Sequence, residues 1–161
     1  MADGPGIEIL PLGREGEEEL FSAYARLVED EEGFPHAAPL SFEEFYDYWV
    51  AHTTAVLAAR REGRLVGAYY LKPNFVGRAA HIANAGYFVV REERGNGIGR
   101  LLVLDSIARA PGLGFDALQF NLVFSSNPAR RLYEELGFEV IGRIPRAVGG
   151  EDALIYWREL S

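Results

Sequence analysis

The sequence predicts a single α/β domain of the α+β type, in which helices flank a mixed, mainly antiparallel sheet. The 161 residues suffice for one core but not for two ordinary ones. Helical and strand-like periodicities follow one another in the order βααβββαβαββ. REGR, at residues 61–64, places a glycine between two apolar runs, as in an antiparallel hairpin. We therefore expect one domain over residues 1–161, with about seven strands and about four helices.

The first half of the chain supplies one strand, two helices and the hairpin. Residues 7–12 have the composition of a short strand. Apolar residues at helical spacing between residues 20 and 28 predict a helix that Gly33 ends. Ser41 and Glu44 form a capping box, which predicts the start of a second, aromatic-rich helix.

The second half begins with a long apolar run, residues 79–90, which predicts a central strand. A glycine-rich turn and a helix over residues 97–110 follow, and then a strand over residues 116–124. Asn127 is expected as the N-cap of a short helix that Gly137 ends, with Pro128 at its first position.

The last two runs, FEVIGRIP and DALIYWREL, predict closing strands. The second of them carries apolar and aromatic residues that we expect to be exposed and to pair with a second copy of the chain as a homodimer.

Composition excludes several function classes. With a net charge of -8, the chain is not expected to bind nucleic acid. No cysteine is present, so disulfides, thiolate catalysis and cysteine-bound metals are excluded. His36, His52 and His81 lack the spacing of metal ligands, so no metal is expected. The first ten residues lack the pattern of a signal peptide and no apolar segment reaches about 18 residues, so a cytoplasmic protein without a membrane partner is expected.

The segment RGNGIGR, residues 94–100, predicts an anion site. A strand, a glycine-rich turn and a helix N-terminus present unpaired N–H groups together with the positive end of the helix dipole. Arg94 and Arg100 can add charge-assisted contacts. Arg100 stands where a dinucleotide fingerprint requires glycine, and no Lys-Ser/Thr pair follows, so neither that fingerprint nor a Walker loop is present. A plain flexible turn is the alternative.

These residues resemble two signatures of the GCN5-related N-acetyltransferase (GNAT) superfamily. RGNGIG matches the R/Q-x-x-G-x-G/A signature, and NPARRLYEELGF, residues 127–138, matches the second signature at the spacing that the fold requires. The resemblance implies the acyl-CoA N-acyltransferase fold, with a sheet splayed at its centre, and acetyl-CoA as the cofactor. It also implies a set of cofactor-binding residues: Phe88, Val89, Val90, Arg94, Gly95, Asn96, Gly97, Ile98, Gly99, Arg100, Asn127 and Tyr133.

Acetyl transfer to an amine requires loss of a proton from the amine, donors for the oxyanion and an acid for the leaving thiolate. By the resemblance, Tyr133 is the acid and a backbone N–H near Phe88 or Val89 is the oxyanion donor; packing of the short helix is the alternative role of Tyr133. The central strand has no glutamate. His81 can act as the base, but a water chain, or an amine that binds already neutral, is the preferred interpretation.

Asn84 and Asn121 lie in two apolar strands, where an unpaired amide costs about 1–3 kcal/mol. A hydrogen bond to a neighbouring strand is one interpretation. Between residues 72 and 145 the sequence is also similar to acetyltransferases that detoxify proline analogues such as azetidine-2-carboxylate. This similarity implies that Asn84 positions the amine and stabilises the intermediate, and that Asn121 and the Leu122 amide hold a carboxylate.

The N-terminal third carries no such specific similarity, and its aromatic residues are candidates for the acceptor pocket or for the core: Phe34, His36, Phe42, Phe45, Tyr46 and Trp49. The function predicted is an acetyl-CoA-dependent N-acetyltransferase for a small amine of the amino or imino acid type. A protein or peptide N-acetyltransferase and a non-catalytic acyl-CoA-binding domain are the alternatives.

Overall fold

The computed structural model describes residues 6–160, which form one seven-stranded sheet in the order β1-β2-β3-β4-β5-β7-β6. The strands are β1 (Ile7–Pro11), β2 (Ala55–Arg61), β3 (Arg64–Pro73), β4 (Ile82–Val89), β5 (Ala117–Phe124), β6 (Glu139–Val148) and β7 (Glu151–Glu159). The α-helices in this part of the chain are α1 (Glu17–Glu29), α2 (Phe42–Tyr46), α3 (Ile98–Arg109) and α4 (Arg130–Glu135). The predicted order of elements is confirmed. Met1 to Pro5, part of the segment predicted to carry no signal peptide, lie outside the described residues.

The sheet is antiparallel except between β4 and β5, which run parallel. These two strands pair only from Ile82 with Ala117 to Asn84 with Gln119. Beyond Asn84, β4 keeps β3 as its partner on one edge and leaves its other edge open. The predicted splay at the centre of the sheet is thus confirmed, and it begins at Asn84.

Helices cover both faces of the sheet and create two cores. On one face, α3 and α4 pack through Ile98, Leu102 and Tyr133 against the sheet. On the other face, α1, α2 and the π-helical segment Asp47–Ala51 bury an aromatic core that includes Tyr24 and Trp49. Both layers border the site, because the gap between β4 and β5 connects the two faces of the sheet.

The predicted capping box, hairpin turn and helix-ending glycine are confirmed, and each depends on residues close together in the sequence. Ser41 and Glu44 form both bonds of the capping box. Glu62 and Gly63 take the left-handed conformations of a two-residue hairpin turn. Gly137, at φ +91°, ends α4 with a bond from the Phe138 N–H to the Tyr133 carbonyl.

Three boundary predictions are wrong. Helix α1 ends at Glu29 rather than near Gly33, because Glu31 itself takes the left-handed conformation that closes the helix. The central strand begins at Ile82, since Gly77–Ala79 form a 3-10 turn. Helix α4 begins at Arg130, so Asn127 and Pro128 precede it.

The closing strand β7 is not available to a second subunit through its edge. It pairs with β5 on one side and with β6 on the other, so it cannot add a strand of another copy at either edge, and the homodimer stays a prediction. The edge strand is β6, whose side chains Val140, Ile141 and Ile144 are exposed. Among residues 6–160, no helix is long and apolar enough to cross a membrane.

Candidate active site

A cavity of about 880 Å³ opens where β4 and β5 separate. Tyr87, Phe88 and Val89 of β4 form one wall, and Phe124 stands on the opposite strand. The cavity continues to the segment between α1 and α2, the start of α3, the residues around α4 and the β6–β7 turn. The gap between the two strands is therefore part of a cavity that elements from both halves of the chain line. The predicted site residues on its wall are Phe88, Val89, Arg94, Gly99, Asn127 and Tyr133.

The glycine loop, residues 94–100, leads from β4 into α3 with exposed backbone donors. Gly95 and Gly97 have φ values of +84° and +82°, a conformation that disfavours side chains. Leu101 is the first residue of α3 whose N–H finds a backbone acceptor in the described chain, the carbonyl of Gly97. The preceding amides are thus oriented for an anion at the positive end of the helix. The Arg94 N–H is excluded from this set because it donates to the Arg91 carbonyl.

The two arginines of the glycine loop are bound to carboxylates. Arg94 donates to Glu32 at 2.6 Å and to the Val89 carbonyl at 3.2 Å. Arg100 donates to Glu135 of α4 at 3.4 Å. The hydrogen bond from Arg94 is the main cause that lowers the pKa of Glu32 below its usual range. An incoming anion must therefore share or displace these carboxylates.

The open edge of β4 offers alternate backbone donors. The Val90 N–H donates to the Val66 carbonyl of β3 at 2.9 Å. N–H groups alternate between the two edges of a strand, so the Val89 N–H points to the open edge and the Phe88 N–H to β3. Val89 is thus the better oxyanion donor of the two predicted. The Val90 amide is already used by β3, and Val90 lines not this cavity but a neighbouring pocket that it shares with Phe88 and Val89, so its role as a cofactor residue stays a prediction.

Tyr133 lies on α4 with its ring packed on Phe120, at a centroid distance of 4.7 Å, and on Tyr156, at 5.7 Å. The residue is 7% exposed, and its hydroxyl makes no hydrogen bond with residues 6–160. Burial raises the pKa of Tyr133 well above its usual range, and nearby Tyr156 raises it further. The phenol consequently keeps its proton near neutral pH and faces the cavity as a potential donor.

Asn127 stabilises the turn before α4 instead of capping the helix. Its Oδ1 accepts from the Ala129 N–H at 2.8 Å, and its own N–H donates to the Phe124 carbonyl. This turn aims the residue at the cavity, where it is one of the lining side chains. Its Nδ2 has no acceptor in the described chain and remains a donor for a ligand.

Asn84 marks the last rung between β4 and β5. Its Nδ2 donates to the Gln119 carbonyl at 3.0 Å, and its Oδ1 accepts from the Tyr70 hydroxyl at 3.3 Å. At 7% exposure, the side chain is buried and satisfied by these two bonds. The structural interpretation of Asn84 is therefore supported, and the amide also fixes the point at which the splay begins.

Asn121 is exposed and does not bond to Asn84. It exchanges two amide hydrogen bonds with Asn74, at 2.6 and 3.1 Å, and its Oδ1 also accepts from the Gln119 side chain. Residues 121 and 122 form the bulge of β5, where the register against β7 shifts. The predicted substrate pair Asn121 and Leu122 thus lies at a strand irregularity, and Gln119 connects it to Asn84.

The aromatic residues of the N-terminal third divide between cavity and core. Phe34 and His36 line the cavity. Phe45 and Trp49 are fully buried, Phe42 packs beside them and Tyr46 is exposed outside the cavity, so these four are not pocket residues. Burial inside the helical layer could not be separated from pocket lining by sequence pattern alone.

His81 is remote from the cavity. It is exposed at the start of β4, with its Nδ1 3.0 Å from the Arg78 carbonyl. It does not line the cavity, and a role as base is not supported.

Lys72, the chain's single lysine, was not singled out by sequence reasoning; it does not line the cavity but lies beside the strand position where the splay begins. It pairs with Asn84 across β3 and β4, and its Nζ lies 4.4 Å from the centre of the Tyr48 ring and 4.9 Å from that of Tyr70. No carboxylate among residues 6–160 forms an ion pair with it. Burial lowers the pKa of Lys72, and Asp47 partly opposes this change.

Comparisons with known proteins agree with this geometry. The family model described as acetyltransferase (GNAT) family matches residues 19–138. N-acetyltransferase aca1 of Schizosaccharomyces pombe is 42% identical over 99 residues, which cover 57% of this chain and 47% of that protein. The chain thus spans about half the length of this relative.

Solved structures show the same fold. A GCN5-related N-acetyltransferase from Kribbella flavida has a TM-score of 0.89 and 28% identity, with 96% of this chain and 98% of that one covered. yncA from Salmonella typhimurium, solved with its cofactor acetyl-CoA, has a TM-score of 0.82 and 17% identity, with 97% and 95% covered. The second likeness concerns the fold alone.

Proposed function

Because the chain belongs to the acetyltransferase (GNAT) family, we propose that it transfers an acetyl group from acetyl-CoA to the amine of a small acceptor that carries a carboxylate, of the amino or imino acid type. The glycine loop supports the cofactor half of this proposal. Its free N–H groups suit a pyrophosphate, and the open edge of β4 suits the extended, amide-bearing arm of CoA. The structure of yncA with acetyl-CoA supports the same cofactor.

The chemistry proposed is direct attack of the amine on the thioester. The Val89 N–H stabilises the oxyanion at the open edge of β4, as backbone donors do in acyl transfer. The Tyr133 hydroxyl protonates the leaving thiolate. Its burial favours this role, since a high pKa keeps the phenol protonated until the thiolate forms.

The environment of Lys72 is the single observation that supports an acceptor with a carboxylate. The chain has a net charge of -8, yet this ammonium lies half-buried over the rings of Tyr48 and Tyr70 and without an ionic partner in the described chain. Burying a charge is unfavourable unless it gains a partner. A substrate carboxylate supplies that partner.

The test is thiol release from acetyl-CoA with a matched panel of acceptors. The panel contains azetidine-2-carboxylate, proline and other amino acids, the carboxamide of each, and short peptides with free N-termini. We expect higher kcat/KM for each free acid than for its carboxamide. Turnover of peptides alone would favour a peptide acetyltransferase, and CoA binding without any turnover would favour a non-catalytic domain.

We also propose a homodimer built on the edge strand β6. Its N–H and C=O groups are free on one side, and Val140, Ile141 and Ile144 are exposed beside them. Sedimentation equilibrium is expected to show a dimer that Ile141→Lys dissociates. A monomer at all protein concentrations would contradict this assembly.

A further inference from the structure

We propose that His36 accepts the proton that the acceptor's ammonium group must lose before its nitrogen attacks the thioester. This inference rests on the proposed function, because it assigns the proton acceptor of that reaction. Amino and imino acids are protonated at neutral pH, and β4 supplies no carboxylate near the splay. A base must then come from another element that lines the cavity.

The other titratable groups on the cavity wall are committed or unsuitable. Glu32 is bound by Arg94 and Arg91. Glu151 accepts hydrogen bonds from Ser125 and Ser126. Glu29 and Glu31 are exposed at the end of α1. The tyrosine hydroxyls are buried and remain protonated. His36 is the group left with a free, basic nitrogen.

The His36 ring is held in one orientation. Its Nδ1 lies 2.7 Å from the Tyr24 hydroxyl, and the ring packs edge-on against Tyr48 at a centroid distance of 4.5 Å. In the tautomer whose Nδ1–H donates to the Tyr24 oxygen, Nε2 keeps its lone pair. This nitrogen has no partner in the described chain. Nε2 of His36 is also not fully buried. In the described chain, the one fully buried side-chain nitrogen or oxygen without a hydrogen-bond partner is Trp49 Nε1.

The surroundings keep His36 neutral. Burial lowers the pKa of His36; Glu44 of α2 opposes this effect, and Lys72 of β3 reinforces it. Tyr24 of α1 and Tyr48 of the π-helical segment complete the ring's environment without adding charge. Lys72 and His36 also contact the same Tyr48 ring, so the proposed carboxylate anchor and the proposed base are joined through one aromatic side chain.

The proton balance is complete. Nε2 of His36 takes one proton from the ammonium nitrogen, whose lone pair then forms the C–N bond to the thioester carbon. The C–S bond breaks, and the leaving thiolate takes the proton of the Tyr133 hydroxyl. A second proton from the former ammonium nitrogen then returns to the Tyr133 oxygen. The products are the amide, the CoA thiol and one proton, which the His36 imidazolium releases to water.

The experiment compares pH profiles of wild type, His36→Gln and His36→Asn on whichever amine of the panel the wild type turns over fastest. At pH 7 we expect each variant to lose about 10²-fold in kcat/KM, the usual size of general-base catalysis. The loss should shrink as pH approaches the pKa of the amine, because the free amine then forms without help. Added imidazole should restore part of the rate. His52→Gln, an exposed histidine outside the cavity, is the matched control.

Folding is monitored by acetyl-CoA affinity, which should stay unchanged. His36→Asn keeps an amide nitrogen where Nδ1 lies and can keep the bond to Tyr24. A loss that is constant at every pH, or no loss at all, would overturn the role of His36. The proposed function fails by a different result. It fails if the wild type acetylates only peptides, or if it acetylates no amine at all.

Discussion

The guanidinium of Arg94 donates a 2.6 Å hydrogen bond to the carboxylate of Glu32, and this contact ties the segment after α1 to the glycine loop. Arg91 shares the same carboxylate at 3.2 Å. The Glu32 carboxylate thus forms ion pairs with two arginines at the place where a pyrophosphate is proposed to bind. Negative charge at this position opposes an anionic ligand and partly satisfies the arginines in its absence.

Glu32→Gln is therefore expected to bind acetyl-CoA more tightly. Removing one like charge next to a partly exposed anion site should lower Kd about 3- to 10-fold at low salt, with a smaller gain at high salt. Glu18→Gln removes the same charge from an exposed position of α1 and is the control. Calorimetric titration at two salt concentrations measures the effect. Weaker binding would mean that Glu32 orders the arginines for the ligand.

Gly97→Ala should weaken acetyl-CoA binding about tenfold, because a side chain at φ +82° costs roughly 1–2 kcal/mol and the loop can relieve this strain by turning its amides away. No atom lies within 4 Å of the added Cβ, so the effect comes from the backbone conformation and not from a clash. Gly112→Ala, also in open space but without a left-handed backbone, is the control. Equal affinities for both variants would show that the loop conformation does not matter.

The sequence was a good guide to features that short-range chemistry decides. Ser41 with Glu44, Glu62 with Gly63, and Gly137 each act through neighbours a few residues away, so their capping and turn signals identify the structure directly. The splay and the glycine loop could be predicted because two motifs flank β5 at a fixed spacing.

The acceptor side could not be predicted, because it depends on which residues of distant elements meet. Lys72 becomes notable only when β3 places it beside Asn84 and the π-helical segment brings Tyr48 over its Nζ. His36 lies in a segment without periodicity, and its role depends on Tyr24 holding its ring. Phe45 and His36 are both candidates for the acceptor pocket by sequence, yet Phe45 is buried in the core and His36 lines the cavity.

Asn84→Ala separates a structural from a catalytic role for this amide. The change removes the donor to the Gln119 carbonyl and one of the two partners of the Tyr70 hydroxyl, which keeps the Tyr48 hydroxyl, so unfolding free energy should fall by about 1–3 kcal/mol. If Asn84 also stabilises the reaction intermediate, kcat at a temperature where the variant is fully folded should fall more than tenfold. Denaturant unfolding and steady-state kinetics on one preparation measure both. A stability loss with unchanged kcat would restrict Asn84 to the structural role.

Lys72→Met should raise the KM for a carboxylate-bearing acceptor about tenfold or more, the effect of losing one charge-assisted contact. The KM for the matching carboxamide should stay within about twofold, since that acceptor has no charge to lose. Methionine preserves the packing on Tyr48 and Tyr70. An equal change in both KM values would mean that Lys72 only shapes the pocket.

Tyr133→Phe should lower kcat about 10²- to 10³-fold while acetyl-CoA affinity stays nearly unchanged, because the ring that packs on Phe120 and Tyr156 is retained and only the proton donor is lost. The sign of the pH effect follows from the raised pKa of Tyr133. The hydroxyl donates only while protonated, and burial moves its deprotonation above the usual range of a phenol, so wild-type kcat should show no alkaline decline up to about pH 10. Rapid-quench single turnovers separate this step from product release. A variant with full kcat, or a wild-type decline near pH 8 that the variant lacks, would remove Tyr133 from the role of acid.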